Sequence, residues 1–192
     1  HHFHGSLEDA VKEVRRAIEN ATSLRMLRAD VPVGSYLSGG LDSSLVAALG
    51  RQFAGDRFQT FSLRFEDAEY DETEYQRLMV KMLGSEHHEV VVTRSDIANV
   101  FPEVIYHTER PILRTAPAPL FLLSRLVRDH GIKVVLTGEG ADEMFAGYDI
   151  FREGKVRRFW GRQPASAWRP RLLERLYPYL ARSPVSQQAL AR

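Results

Sequence analysis

Apolar residues recur at helical spacing through Val11, Val14, Ala17, Ile18, Leu24 and Leu27. Ser6 precedes them, with Asp9 three positions later, a pairing that predicts an N-cap and an acidic first turn. The helix should run to about Arg28, with Pro32 beyond it. Val33 to Leu37 is a short apolar run that stops at Ser38-Gly39-Gly40, the pattern of a buried strand entering a glycine turn. Leu45, Val46, Ala48 and Leu49 place a helix over Ser43 to Phe53, ended by Gly55-Asp56. Phe58 to Phe65 alternates as a strand. Asp71 can cap a helix through Leu83, closed by Gly84. A strand at Val90 to Val92 and a helix at Ser95 to Tyr106 follow. His107 to Pro119 holds three prolines and reads as a loop. Leu120 to Asp129 is helical and stops at Gly131. Lys133 to Leu136 is a strand, and it runs into a second glycine turn, Gly138-Glu139-Gly140.

Strands alternating with helices predict an α/β fold, a mostly parallel sheet with helices on both faces. Ligands of such sheets bind beyond the carboxyl ends of the strands. Both glycine turns directly follow strands, so both belong on that edge. Whether their strands are neighbours is left open. After about Arg152 the pattern changes to prolines (164, 170, 178, 184) and short helical pieces such as Pro170 to Leu176, with no further strand.

Composition narrows the classes. The 192 residues suffice for one good core, and 44% hydrophobic with 27% charged is ordinary for a globular protein. No stretch approaches the roughly 18 apolar residues of a membrane span. The absence of cysteine excludes disulfides and thiolate chemistry, and fits a cytoplasmic setting. Residues 1–5 read as the remnant of a tag and cloning scar. The net charge of +1 hides an asymmetry. From Arg152 onward ten basic residues face only Glu153 and Glu174, so this tail is strongly basic and the chain before it acidic. Nucleic acid is a weak candidate partner, because no aromatic–basic motif accompanies the charge; a solvated or protein-facing helix is the expected reading.

Ser38-Gly39-Gly40-Leu41-Asp42-Ser43-Ser44 carries the clearest chemistry. Glycines admit backbone N–H groups close to a phosphate, and the turn opens a helix whose N-terminus favours anions. Three serines add hydroxyls. Asp42 would repel phosphate unless a cation such as Mg²⁺ joins them. Neither the Walker A spacing nor the Gly-x-Gly-x-x-Gly fingerprint is present. The plain alternative is a strand-to-helix turn with Ser and Asp as caps.

The seven-residue string resembles the pyrophosphate-binding loop of the N-type ATP pyrophosphatases. The second run, Val134-Val135-Leu136-Thr137-Gly138-Glu139-Gly140-Ala141-Asp142-Glu143-Met144-Phe145-Ala146-Gly147-Tyr148, resembles the synthetase domain of glutamine-dependent asparagine synthetases. Val31-Pro32-Val33-Gly34, Tyr70-Asp71-Glu72, His87-His88-Glu89 and Leu122-Leu123-Ser124-Arg125 match as well. The resemblance runs from about Leu24 to about Phe151. It implies a three-layer, Rossmann-like fold of the adenine nucleotide alpha-hydrolase type over residues 6–151, with a basic helical tail over 152–192.

It also implies an ATP- and Mg²⁺-dependent, AMP-forming ligase. Aspartate would be activated as β-aspartyl-AMP and then amidated by ammonia from a glutaminase domain outside this chain. A homodimer is compatible with it. Carried over by motif, Ser38, Gly39, Gly40, Ser43 and Ser44 would cradle pyrophosphate, and Asp42 and Asp142 would hold Mg²⁺. The backbones of Leu37, Leu63, Thr137 and Gly138 would border adenine and ribose, Leu63 by strand position alone. Glu139 would support formation of the intermediate. The alternatives are a helix cap for Asp142 and a solvated turn for Glu139. His87 and His88, at a strand start, are expected to be structural. His107, Glu109, Arg110 and Arg114 are candidates for the amino-acid pocket.

Three family features have no counterpart here: an N-terminal cysteine nucleophile, the later S-x-x-x-x-E-x-R-x-P-F-L-D stretch and a lysine after it. The expectation is a synthetase-domain piece incomplete for full turnover. Two other readings stay open: a paralogue adenylating a different carboxylate, of β-lactam synthetase or peptide cyclase type, and a non-catalytic nucleotide-binding domain.

Overall fold

A computed structural model describes residues 3–55, 58–66 and 73–176 of the chain. Tyr70-Asp71-Glu72, the Asp56 helix end, Pro178 and Pro184 lie outside them. The chain separates into two compact units, His1–Gly138 and Glu139–Arg192.

In the first unit α1 (Leu7–Leu27) begins at the expected cap: Asp9 N–H donates to Ser6 Oγ at 3.2 Å, and Ser6 N–H donates to Asp9 Oδ2 at 3.0 Å. The strand β1 (Val33–Tyr36), the helix α2 (Leu41–Phe53), the strand β2 (Gln59–Phe65) and the helix α3 (Thr73–Leu83) follow. Next come β3 (Glu86–Val92), α4 (Arg94–Thr108), α5 (Pro117–Asp129) and β4 (Val134–Leu136). The four strands form one sheet in the order β3-β2-β1-β4, and every pairing is parallel. The two strands that lead into glycine turns are therefore neighbours, with Val33 opposite Val134 and Ser35 opposite Leu136.

Strand alternation divides the core. Phe61, fully buried, packs with Leu123, Val127 and Ile132 against α5 on one face. Leu37, Ala47 of α2 and Phe58 pack with Met79, Val80 and Leu83 of α3 on the other. Helices thus cover both faces, as the alternation of elements predicts. Successive strands extend from β1 to β3 on one side, and the chain returns to place β4 on the other. The order reverses between β1 and β4, and in such folds a crevice opens there at the carboxyl ends.

Two boundaries differ from the sequence pattern. β3 starts at Glu86 rather than Val90, because polar neighbours accommodate His87: Thr60 Oγ1 lies 3.0 Å from Nδ1 and Ser62 Oγ 2.9 Å from Nε2. α5 starts at Pro117, within the expected loop; a proline in the first turn forfeits no helical hydrogen bond. His88 points to the other face, its ring 5.3 Å from Phe61 and 3.7 Å from His130.

These histidines set a pH dependence. Burial pushes His87 down from 6.5, with His88 adding and Glu89 opposing. Burial and then the adjacent His130 push His88 down, with Glu86 opposing. The unfolded chain therefore takes up protons first as pH falls below about 6.5, and the native state loses stability until the lowered folded values are passed. Asp9 and Asp96, lowered by their cap hydrogen bonds, favour the native state above 3.8 and lose that contribution as pH falls below it, a separate window. The melting temperature should fall between pH 7 and pH 5 and fall less in the His87→Gln/His88→Gln variant. An equally flat profile for both proteins would refute this.

In the second unit α6 (Ala141–Phe145) is one short helix, and α7 (Asp149–Gly161) is followed by a 3-10 helix at Arg169–Arg175. α7 falls largely in the stretch expected to hold only short helical pieces. No residue of α7 is buried, so it carries no apolar stripe that periodicity could reveal. Part of the basic charge is held locally: Arg157 pairs with Glu153 at 2.6 Å and Arg152 with Asp149 at 3.0 Å. The Arg169 guanidinium lies 4.1 Å from the Phe159 ring centroid. No strand occurs among the described residues after β4.

Candidate active site

The first turn is a closed hydrogen-bond circuit. Ser38 N–H donates to Ser43 Oγ at 3.1 Å, and Gly40 N–H donates to Ser38 Oγ at 3.2 Å. Ser43 Oγ–H donates to Gly40 O at 3.2 Å, so the 2.8 Å contact between the two hydroxyls is a donation from Ser38. Both hydroxyl protons are engaged within the loop. These two serines brace the turn, beyond the phosphate-donor role their motif implies. Ser44 differs: its Oγ is buried and has no hydrogen-bond partner among the described residues. Such an unpaired donor costs about 1–3 kcal/mol.

Gly39 sits at φ +87°, a conformation that favours glycine, and a Cβ there would lie 3.0 Å from the Gln76 backbone nitrogen. Gly40 is the N-cap of α2 and no side chain caps that helix. The N–H groups of Leu41, Asp42 and Ser43 therefore lack intrahelical acceptors and concentrate positive potential at the turn. Asp42 is half-buried in this first turn. Leu37, 1% exposed, anchors the turn in the core, and its N–H donates to Phe61 O at 2.9 Å.

The end of β4 approaches this turn directly. A Cβ on Gly138 would lie 2.8 Å from Ser43 N and 3.0 Å from both the carbonyl carbon and Cβ of Asp42. Gly138 is bare because the α2 backbone occupies that space. Thr137 and Gly138 are half-buried there. Leu37, Thr137 and Gly138 thus come together with the Ser38–Ser44 turn at the ends of paired strands. Leu63 is one strand away on β2.

The remaining motif residues lie in the second unit. Asp142 is half-buried in the first turn of α6, whose N-cap is Gly140 at φ +90°, so Asp142 does not cap that helix. Its carbonyl accepts the Gly147 N–H at 3.0 Å, and a Cβ on Gly147 would overlap its carboxylate. Glu139 and Glu143 are exposed. Tyr148 Oη–H donates to Glu143 at 3.3 Å, and Glu143, then Asp142 and Glu139, contribute to raising its hydroxyl above 10.0. His107, Glu109, Arg110 and Arg114 are all exposed.

The donor set fits an anion and a hard cation. Uncapped amides and an unpaired serine hydroxyl suit phosphate oxygens. Mg²⁺ takes one or two carboxylates plus substrate phosphates and water, and the half-buried Asp42 in the first turn of α2 is a carboxylate of that kind. A preassembled all-protein cage is not needed, and no cluster of three or more His, Cys, Asp or Glu able to hold a metal exists among the described residues.

Gln76 escapes sequence reasoning. It is 4% exposed on α3, and its Nε2 donates to Ser38 O at 3.2 Å and to Leu63 O at 3.1 Å. The only signal is an amide placed among Thr73, Met79, Val80 and Leu83 on the inward side of an amphipathic helix.

The asparagine synthase family matches residues 13–192. The chain belongs to the asparagine synthase family. The asparagine synthetase [glutamine-hydrolyzing] 1 of Bacillus subtilis is 38% identical over 143 residues, covering 74% of this chain and 22% of that protein. The corresponding protein 1 of Arabidopsis thaliana is 39% identical over 156 residues, 76% and 26% of the two chains. Amidase chyE of Penicillium rubens is 37% identical over 161 residues, 77% and 24%. The chain spans about a quarter of the length of these relatives. Among solved structures, an NMN synthetase from Francisella tularensis has the same α/β fold, with a TM-score of 0.51 at 18% identity over 71% of this chain and 58% of that one. No helix among the described residues is long and apolar enough to cross a membrane.

Proposed function

We propose that this asparagine synthase family chain carries the nucleotide-activating half of an ATP-dependent, AMP-forming amide ligase. The observation that carries the reading is the approach of Gly138 to Ser43 and Asp42, which joins the ends of β1 and β4 at an uncapped helix N-terminus. In the reaction an oxygen of the substrate carboxylate attacks the α-phosphorus of ATP. The bond from that phosphorus to the α–β bridging oxygen breaks, and pyrophosphate leaves. Ammonia then attacks the acyl carbon, loses a proton, and AMP departs to leave the amide.

The chain's residues meet the charge problem of bringing a carboxylate to a polyanion. The amides of Leu41, Asp42 and Ser43 and the Ser44 hydroxyl would hold the pyrophosphate. Gly39 and Gly40 would let the backbone close on it, with the Ser38–Ser43 brace fixing the loop. The backbones of Leu37, Leu63, Thr137 and Gly138 would border the nucleoside. Asp42 and Asp142 would hold Mg²⁺, which offsets negative charge on the departing group. Glu139 would act beside the acyl group.

Aspartate is the proposed substrate, with ammonia from a glutaminase activity, by kinship with the asparagine synthetases. Relatives at nearly the same identity include one named an amidase rather than an asparagine synthetase, so a second reading stands beside the first, in which a carboxylate other than aspartate is activated. ATP–pyrophosphate exchange by the protein expressed from its full reading frame separates them. Aspartate should stimulate exchange about 10-fold or more above the carboxylate-free rate, a difference near 1.4 kcal/mol. Exchange with a different carboxylate and none with aspartate would move the assignment to the second reading.

A further inference from the structure

We propose that Gln76 is a positioning residue that replaces the missing rung between β1 and β2 and holds the Ser38–Ser44 turn open for an anionic ligand. The turn's role rests on the nucleotide reading above. The rung itself rests on geometry alone.

The β1–β2 ladder ends where Leu37 N–H meets Phe61 O. In a parallel pair alternate residues of a strand face the same neighbour, so Leu63 O faces β1 as Phe61 O does. Its partner in a continued ladder would be the N–H of Gly39. That bond does not form among the described residues, and Gly39 adopts φ +87° as the chain leaves the strand direction. The Gln76 amide fills the place, bonding both Leu63 O and Ser38 O. Two carbonyl oxygens can only be met by a donor, so the amide orientation is fixed by its partners. The consequence is that Gln76 Oε1 is buried with no partner among the described residues. A methionine or leucine would fill the space without a stranded amide oxygen, but it would leave Ser38 O and Leu63 O without this donor. The amide thus meets two carbonyls at the cost of one unmet oxygen. Here it ties the Ser38 carbonyl, two residues beyond β1, to β2. The adjacent Gly39 packs against the Gln76 backbone, so the helix and the loop are registered to each other.

The test compares wild type with Gln76→Met and Gln76→Asn. Thermal unfolding, amide hydrogen exchange resolved by residue without ligand, and calorimetry with Mg²⁺–ATP are measured on each. Gln76→Met should melt somewhat below wild type, since Ser38 O and Leu63 O lose their donor while one unmet oxygen is removed, so the location of the exchange change carries the test. Exchange at the Ser38 and Gly40 amides should quicken about 10-fold, while Ser35 and Tyr36 in the ladder stay protected. Mg²⁺–ATP should bind about 10-fold more weakly. Gln76→Asn keeps the donor but is one methylene short, and should fall between. Unchanged loop exchange would overturn the rung, as would quickening spread evenly through α3 and β2. Altered loop exchange with unaltered affinity would overturn the positioning role. Wild type that binds no nucleotide would remove the anion-positioning role together with the functional reading, leaving loop exchange to decide the rung.

Discussion

Gly138→Ala should damage both folding and nucleotide binding, although it adds a single methyl group. That group would sit 2.8 Å from Ser43 N and 3.0 Å from the Asp42 carbonyl carbon. Both obstructing atoms are backbone, so no side chain can swing aside. Either β4 withdraws from β1 or the first turn of α2 shifts. Overpacking of this kind costs about 1–3 kcal/mol, and displacement of Ser43 also breaks the loop circuit. Stability in urea should drop by that amount, and Mg²⁺–ATP affinity should fall at least about 10-fold, near 1.4 kcal/mol. Gly161→Ala is the control: a Cβ there meets nothing within 4 Å, so stability should hold or rise slightly. Wild-type stability and affinity in Gly138→Ala would show that the two turns do not act on each other.

Asp42→Asn should leave the fold intact and remove the advantage that Mg²⁺ gives to ATP binding. The carboxylate stands in the first turn of α2 and forms no hydrogen bond or ion pair among the described residues. Its structural contribution is therefore limited to the helix dipole, about 0.3–1 kcal/mol. A carboxylate near a phosphate site is otherwise unfavourable, so without a cation the substitution should strengthen anion binding. With Mg²⁺ it should weaken ATP binding roughly 100-fold or more, since removal even of an outer-shell partner costs 10–100-fold. Calorimetry with and without Mg²⁺ measures both arms. Equal affinities for the two proteins in Mg²⁺ would remove Asp42 from the metal site.

The parallel sheet was legible because β1 and β4 lie in short apolar runs that end at glycine turns and β2 lies in an alternating one. Both glycine turns were visible, but not what each glycine does. Gly39 and Gly140 take positive φ, whereas Gly138 is required by a neighbour 95 positions earlier in the chain. Sequence order does not carry such contacts. The first four residues of β3 were hidden because the partners that make His87 welcome, Thr60 and Ser62, lie on another strand. α7 was hidden because its surface lacks a buried stripe. Gln76 was hidden because only the ladder's end at Leu37 gives its amide a purpose. Ser38 and Ser43 read simply as phosphate donors, and their bracing of each other emerged only from atomic positions.

ATP should be cleaved between its α and β phosphates at the turn beginning at Ser38. The direct measurement is the nucleotide product formed by the protein from its full reading frame with ATP, Mg²⁺, aspartate and ammonia. AMP and pyrophosphate should form in equal amounts, and Asp42→Asn should suppress both. Formation of ADP and orthophosphate, or of no product with any carboxylate offered, would contradict it.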